Sequence, residues 1–259
     1  MAKETKKEEV QKTSVEIENP KKLRGIDNLL KDSWGIFAGG WKKYLLYYLL
    51  TMAILIAAGI LSILVLIIAM TLLKGLIGLV IGIIFIIIIL VLFGTPLSLA
   101  MNKLVFSFGE QKEESIKDVL KYGIKYFPSY LFISIITGLL IAVGLIFLII
   151  PAIIIGVMLS LVAPVFVLEN NHKLEALRRS RELVRGYFWP VFGRLLLIVV
   201  ISGAISSVQR ITPNVLVINI AQGAFSLVAN FILTFFGIAY TYLIYKDLSA
   251  GSNQKTTKE

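Results

Sequence analysis

The chain has no cysteine and one histidine, His172, among its 259 residues. Without thiols it forms no disulfide, offers no thiolate and carries no cysteine-borne lipid. His172 lies three residues after Glu169 in a polar loop. A His–Glu pair is a fragment of metal or acid–base chemistry, but with no second histidine and no clustered carboxylate it reads as ordinary loop polarity. P-loop, Gly-x-Ser-x-Gly and His-Glu-x-x-His patterns are absent too. The residues therefore predict no enzyme, no cofactor and no metal.

Charge is also missing from the long apolar runs. Arg194 lies just inside the start of the fifth run and Arg210 at its outer end; the span interiors are expected to hold no other ionisable group. Such groups mark proton relays, ion coupling and voltage sensing. Their scarcity argues against a proton-coupled pump, while passive passage or sodium coupling through neutral oxygens stays open.

What the chain does have is hydrophobicity, at 57% of its residues, above the usual share in soluble domains. Runs at 44–70, 75–100, 128–150, 151–168, 190–211 and 215–245 approach or exceed the roughly 20 residues that cross a hydrocarbon core of about 30 Å. They lack the alternation of barrel strands, so they are expected to be helices. The expected fold is an all-α polytopic membrane domain over 29–248, with charged or polar tails at 1–28 and 249–259. Residues 128–168 form one uncharged stretch without a polar loop. A single helix of that length would measure about 60 Å, so Pro151 is expected to mark a reversal. A re-entrant hairpin that never fully crosses is the alternative. No cleavable leader is expected, because a long charged tail precedes the first apolar run.

The 26 Lys and Arg residues, set against 16 Asp and Glu, give a net charge of +10. In a six-pass reading all of them except Lys74 and Arg210 fall on one side. The positive-inside rule makes that side cytoplasmic, with both termini there and the protein in a plasma or inner membrane. This bias accounts for the basicity without nucleic acid as a partner.

A unit recurs three times: a short amphipathic cytoplasmic helix, an aromatic hinge and a transmembrane hairpin. The copies start near Leu29, Ile116 and Leu174, with hinges at Trp41–Tyr44, Tyr126–Pro128 and Tyr187–Pro190. Parallel repeats of this kind build known membrane folds; interfacial helices that merely precede hairpins would look similar. In the third copy Leu174, Leu177, Val184 and Phe188 fall on one helical stripe, and Arg178, Arg181 and Arg185 line its flank. That geometry fits contact with anionic headgroups or a protein partner. It equally fits a positive-inside loop held by pairs such as Arg178–Glu182 and Glu175–Arg179.

The last run carries Asn219, Gln222, Ser226 and Asn230 at helical spacing, continued by Thr234 and Thr241. The fifth carries Ser202, Ser206 and Gln209. Together with Gly203, Gly223 and Gly237 they predict a polar seam between spans five and six. Such a seam serves either helix packing, through close approach and hydrogen bonds, or a wet path for a substrate. Gly78/Gly82 and Ala53/Ala57 are further close-approach pairs.

Several of these residues also resemble a family. Pro151, the exit Pro164, Val165 and Glu169, and the helix bearing Ala176, Leu177, Ser180, Leu183 and Gly186 resemble a prokaryotic integral membrane domain. That domain is found alone or fused to glycerophosphodiester phosphodiesterases. Residues 34–37 and 242–248 are similar as well, so the likeness covers most of 31–248. It implies six helices without the catalytic barrel, whose histidines and metal carboxylates this chain lacks. Taken together the expectation is a non-enzymatic membrane protein that interacts with lipids, anionic ones foremost, or assists envelope or lipid metabolism. The alternative is a transporter or exporter of a small or amphiphilic substrate along the seam.

Overall fold

The computed structural model describes residues 23–73, 75–170, 174–208 and 216–250, and every element among them is helical. In chain order these are α1 (Ile26–Leu73), α2 (Gly75–Gly109), α3 (Ile116–Phe147), α4 (Ile149–Leu159), α5 (Val162–Leu168), α6 (Glu175–Val184), α7 (Phe188–Val208) and α8 (Leu216–Ala250). Six segments are long and apolar enough to span a bilayer: α1, α2, α3, the α4–α5 stretch, α7 and α8. The protein is an all-helical, membrane-type fold.

Two of the three expected amphipathic helices are not separate. α1 runs unbroken for 48 residues through Trp41 and Tyr44. α3 likewise runs from Ile116 past Pro128 to Phe147. At 1.5 Å per residue α1 is about 70 Å long, more than twice the hydrocarbon thickness, so its charged first turns stand outside. Aromatic residues at a membrane boundary do not break a helix, hence the continuity. Only the third copy is hinged: α6 ends at Arg185, and Gly186 takes φ +90° before α7 begins. That left-handed backbone is one glycine adopts without steric cost.

The chain turns at Leu148, three residues earlier than the expected Pro151. Leu148 is extended between α3 and α4, and Pro151 sits in the first turn of α4. There a missing N–H costs nothing, because first-turn N–H groups have no intrahelical acceptor. The turn is tight: a Cβ on Gly144 would lie 2.9 Å from the Ala152 backbone. The apolar stretch is then broken again at Ser160–Leu161, between α4 and α5.

α1 and α2 run antiparallel. A Cβ on Gly78 would lie 2.6 Å from the Ala69 carbonyl, and one on Gly82 would meet Leu66. The Gly78/Gly82 pair thus forms the close approach expected of it. Ala53 and Ala57 do not; both are exposed, and the buried small residues of α1 include Ala58, Ser62 and Ala69.

Burial is concentrated at the basic end of the bundle. Tyr44, Tyr47, Leu99, Phe106, Leu161, Phe166, Val184, Phe235 and Tyr240 are essentially inaccessible there. Tyr44 stacks on Phe235 at 4.8 Å, while Phe37 and Tyr48 both meet Phe231 edge-on. At the opposite end, side chains such as Leu72, Leu76, Ile146 and Phe147 are largely exposed, as befits helices whose surroundings are hydrocarbon.

Candidate functional site

α2 carries Pro96 in its interior. Proline lacks the N–H that would bond the carbonyl four residues back, so the helix is weakened there. Neighbouring helices crowd onto this point. The Tyr47 hydroxyl, from α1, donates to the Leu97 carbonyl at 2.6 Å, and the Asn102 amide donates to the Ser98 carbonyl at 2.9 Å. From α3, Gly123 packs so closely that a Cβ would overlap the Pro96 carbonyl oxygen.

Two grooves flank this stretch and share Gly94 and Ser98. One, of about 420 Å³, runs between α2 and α3, with Thr95, Tyr130 and Ser134 among its walls. The other, of about 470 Å³, lies between α1, α2 and α8. Its polar lining includes Tyr48, Thr51, Ser98, Asn230 and Thr234; its apolar lining includes Met52, Leu55, Met101 and Leu227. Thr51 donates to the Tyr47 carbonyl and Asn230 to the Ser226 carbonyl, both at 2.8 Å, so these polar groups sit against their own helices without breaking them. A third groove of about 780 Å³ lies between α1 and the start of α3, lined by Lys43, Glu113, Glu114 and Lys117 over Leu46, Leu50 and Leu120.

A set of ionic contacts, an ionic layer, joins α8 to the rest of the chain. The Tyr242 hydroxyl donates to Glu110 at 2.5 Å and Tyr245 to Glu169 at 3.0 Å. Glu169 also takes Arg179 at 3.3 Å. Arg24 bridges Asp32 at 2.6 Å and Asp247 at 2.8 Å. Arg194 donates to the backbone carbonyls of Arg24 at 2.8 Å and Pro190 at 3.1 Å. Its Nε and the Tyr240 hydroxyl are buried with no hydrogen-bond partner among the described residues.

The expected headgroup contacts are placed on the surface. Arg178 is 77% exposed and reaches Glu182 at 3.5 Å, as its spacing foretold; Arg181 and Arg185 are exposed too. Arg179, however, pairs with Glu169 rather than Glu175. Of the expected apolar stripe Val184 is buried and Leu177 and Phe188 pack against the core, joined by Ala176, Ser180 and Leu183, whereas Leu174 is exposed. Ser180 donates to the Met158 carbonyl of α4 at 2.8 Å, so the inner face of α6 rests on protein.

Of the expected seam, Asn230 and Thr234 line the groove against α1 and α2. Ser202, Gln222 and Ser226 are half-buried. Among the described residues nothing lies within 4 Å of where a Cβ on Gly203, Gly223 or Gly237 would sit. Gln209 and His172 lie outside the described residues, as do the side chains of Ser206 and Asn219. Sequence reasoning missed the Pro96 crossing and underweighted Arg194. An in-helix proline flanked by Thr95 and Ser98, and an arginine inside an apolar run, were the available signals.

A family model described as "Domain of unknown function (DUF7847)" matches residues 119–248. The matched segment takes in most of α3 and α8 and, with them, Glu169, Arg179, Arg194, Tyr240, Tyr242 and Tyr245. No curated protein and no solved structure matches the chain.

Proposed function

Taking as premise that this chain belongs to the DUF7847 family, a domain with no assigned chemistry, we propose that it is a non-enzymatic integral membrane protein that binds membrane lipid. In this reading the basic end faces the cytoplasm of a prokaryotic cell, and the protein serves as an accessory to envelope or lipid metabolism. One observation carries it. The groove of about 470 Å³ between α1, α2 and α8 combines polar groups at Thr51, Ser98, Asn230 and Thr234 with apolar walls at Met52, Leu55 and Leu227. That volume falls within the usual range of small-ligand sites, and its mixed lining suits an amphiphile. The exposed Arg178, Arg181 and Arg185 add headgroup contact, because basic residues near an anionic leaflet are each attracted by about 1 kcal/mol.

The test is Gly94→Leu. A Cβ at Gly94 meets nothing within 4 Å, and this residue borders both intramembrane grooves. The larger side chain is expected to fill that space without disturbing the bundle. Native mass spectrometry of the protein released from its own membranes should then show lipid retention at least several-fold below the parent. Equal retention would count against the proposal. Transport is the second reading, favoured by Asn230 and Thr234 on the groove-facing side of α8. In that case the same variant stops flux in reconstituted vesicles while the parent supports it.

A further inference from the structure

We propose that the groove between α1 and the start of α3 recognises the phosphate and ammonium of an aminophospholipid headgroup. The inference rests on the lipid-binding reading and gives it a chemical class at a second place. The groove of about 780 Å³ carries both signs of charge on its rim and leucines on its floor. Of its two carboxylates, Glu114 is held by Lys103 at 3.0 Å. Lys43, Lys117 and Glu113 make no ion pair among the described residues. Lys43 rests over the Phe108 ring at 5.3 Å, which fixes the cation without neutralising it.

Two cations and one anion are therefore left to a ligand. A phosphodiester meets the lysines, and a primary ammonium beside it meets Glu113. The floor supplies the direction. Leu46 and Leu50 follow Lys43 by three and seven residues, so they lie on one face of α1 and lead from the charged rim along the apolar helix. A headgroup held at the rim thus continues into acyl chains laid along α1. A headgroup with a phosphate but no amine leaves Glu113 facing negative charge.

The experiment uses the full chain in detergent, exchanged into mixtures of phosphatidylethanolamine and phosphatidylglycerol and read by native mass spectrometry. Soluble phosphoethanolamine and inorganic phosphate serve as competitors. The parent is expected to retain the ethanolamine lipid over the glycerol lipid. Glu113→Gln should lower that preference by about threefold, the scale of an exposed ion pair. Lys43→Gln and Lys117→Gln should each reduce retention of both lipids by about fivefold. Lys117 and Glu113 are surface residues, so their variants test the site even if Lys43→Gln fails to fold. An unchanged lipid ratio in Glu113→Gln, or unchanged retention in Lys117→Gln, overturns the proposal. Soluble phosphoethanolamine should compete only weakly, because it lacks acyl chains to lie along α1, and displacement by inorganic phosphate as readily as by phosphoethanolamine overturns the proposal. Loss of retention in Gly94→Leu with the Glu113 effect intact would separate the two grooves.

Discussion

Gly123→Ala adds one methyl group where α3 crosses α2. That methyl would overlap the Pro96 carbonyl oxygen and lie 3.0 Å from the Ala100 Cβ. The obstacle is backbone, so no side-chain rotation relieves it; α3 must move away from α2. Overpacking of this kind costs about 1–3 kcal/mol. Against it stands the helix propensity of alanine over glycine, a gain of about 1 kcal/mol. Gly94→Ala is the matched control, since it has the same propensity gain and open space around its methyl. The difference in stability between the two variants isolates the packing term at about 1–3 kcal/mol. Thermal unfolding in one detergent, followed by circular dichroism, should rank Gly94→Ala at or above the parent and Gly123→Ala clearly below Gly94→Ala. If Gly123→Ala unfolds no earlier than Gly94→Ala, the close crossing at Pro96 is wrong, and with it the position of Thr95 and Ser98 in the grooves.

Glu169→Gln should destabilise the fold by about 1–3 kcal/mol, the range for a hydrogen bond to a charged group. The change removes the carboxylate that Arg179 and Tyr245 share. An unaltered melting temperature would show that the contacts of Glu169 contribute nothing. Replacing Arg178, Arg181 and Arg185 together with Gln should weaken association with anionic lipid. At about 1 kcal/mol per residue the ceiling is roughly 100-fold at low salt. Retention of phosphatidylglycerol in native mass spectra reads the effect, and no change would assign these arginines to topology alone.

The six spans were legible because an uncharged apolar run of bilayer length is seldom stable anywhere but in a bilayer. Their boundaries were less so. Proline looks like a breaker at position 151, yet it is harmless in a first turn, and the actual break at Leu148 has no residue signal. Helical periodicity put Asn230 and Thr234 on one face correctly, but a period does not say which helix that face meets. They meet α1 and α2, and the aromatic rings of α1 dock α8. The ionic layer was illegible for a similar reason. Glu110 lies more than a hundred positions before Tyr242 and Lys246, and only the fold unites them.

The ionic layer also sets an order of events during synthesis. Arg24, Glu110 and Glu169 are made well before Asp247, Tyr242 and Tyr245, the groups on α8 that they bind. Until α8 leaves the insertion machinery, a cation and two carboxylates wait without these partners, and the aromatic faces of Phe37 and Tyr44 wait with them. Arrival of α8 therefore works as a latch on a half-assembled bundle. A chain stalled before that point would present quality-control proteases with an open, charged and aromatic surface.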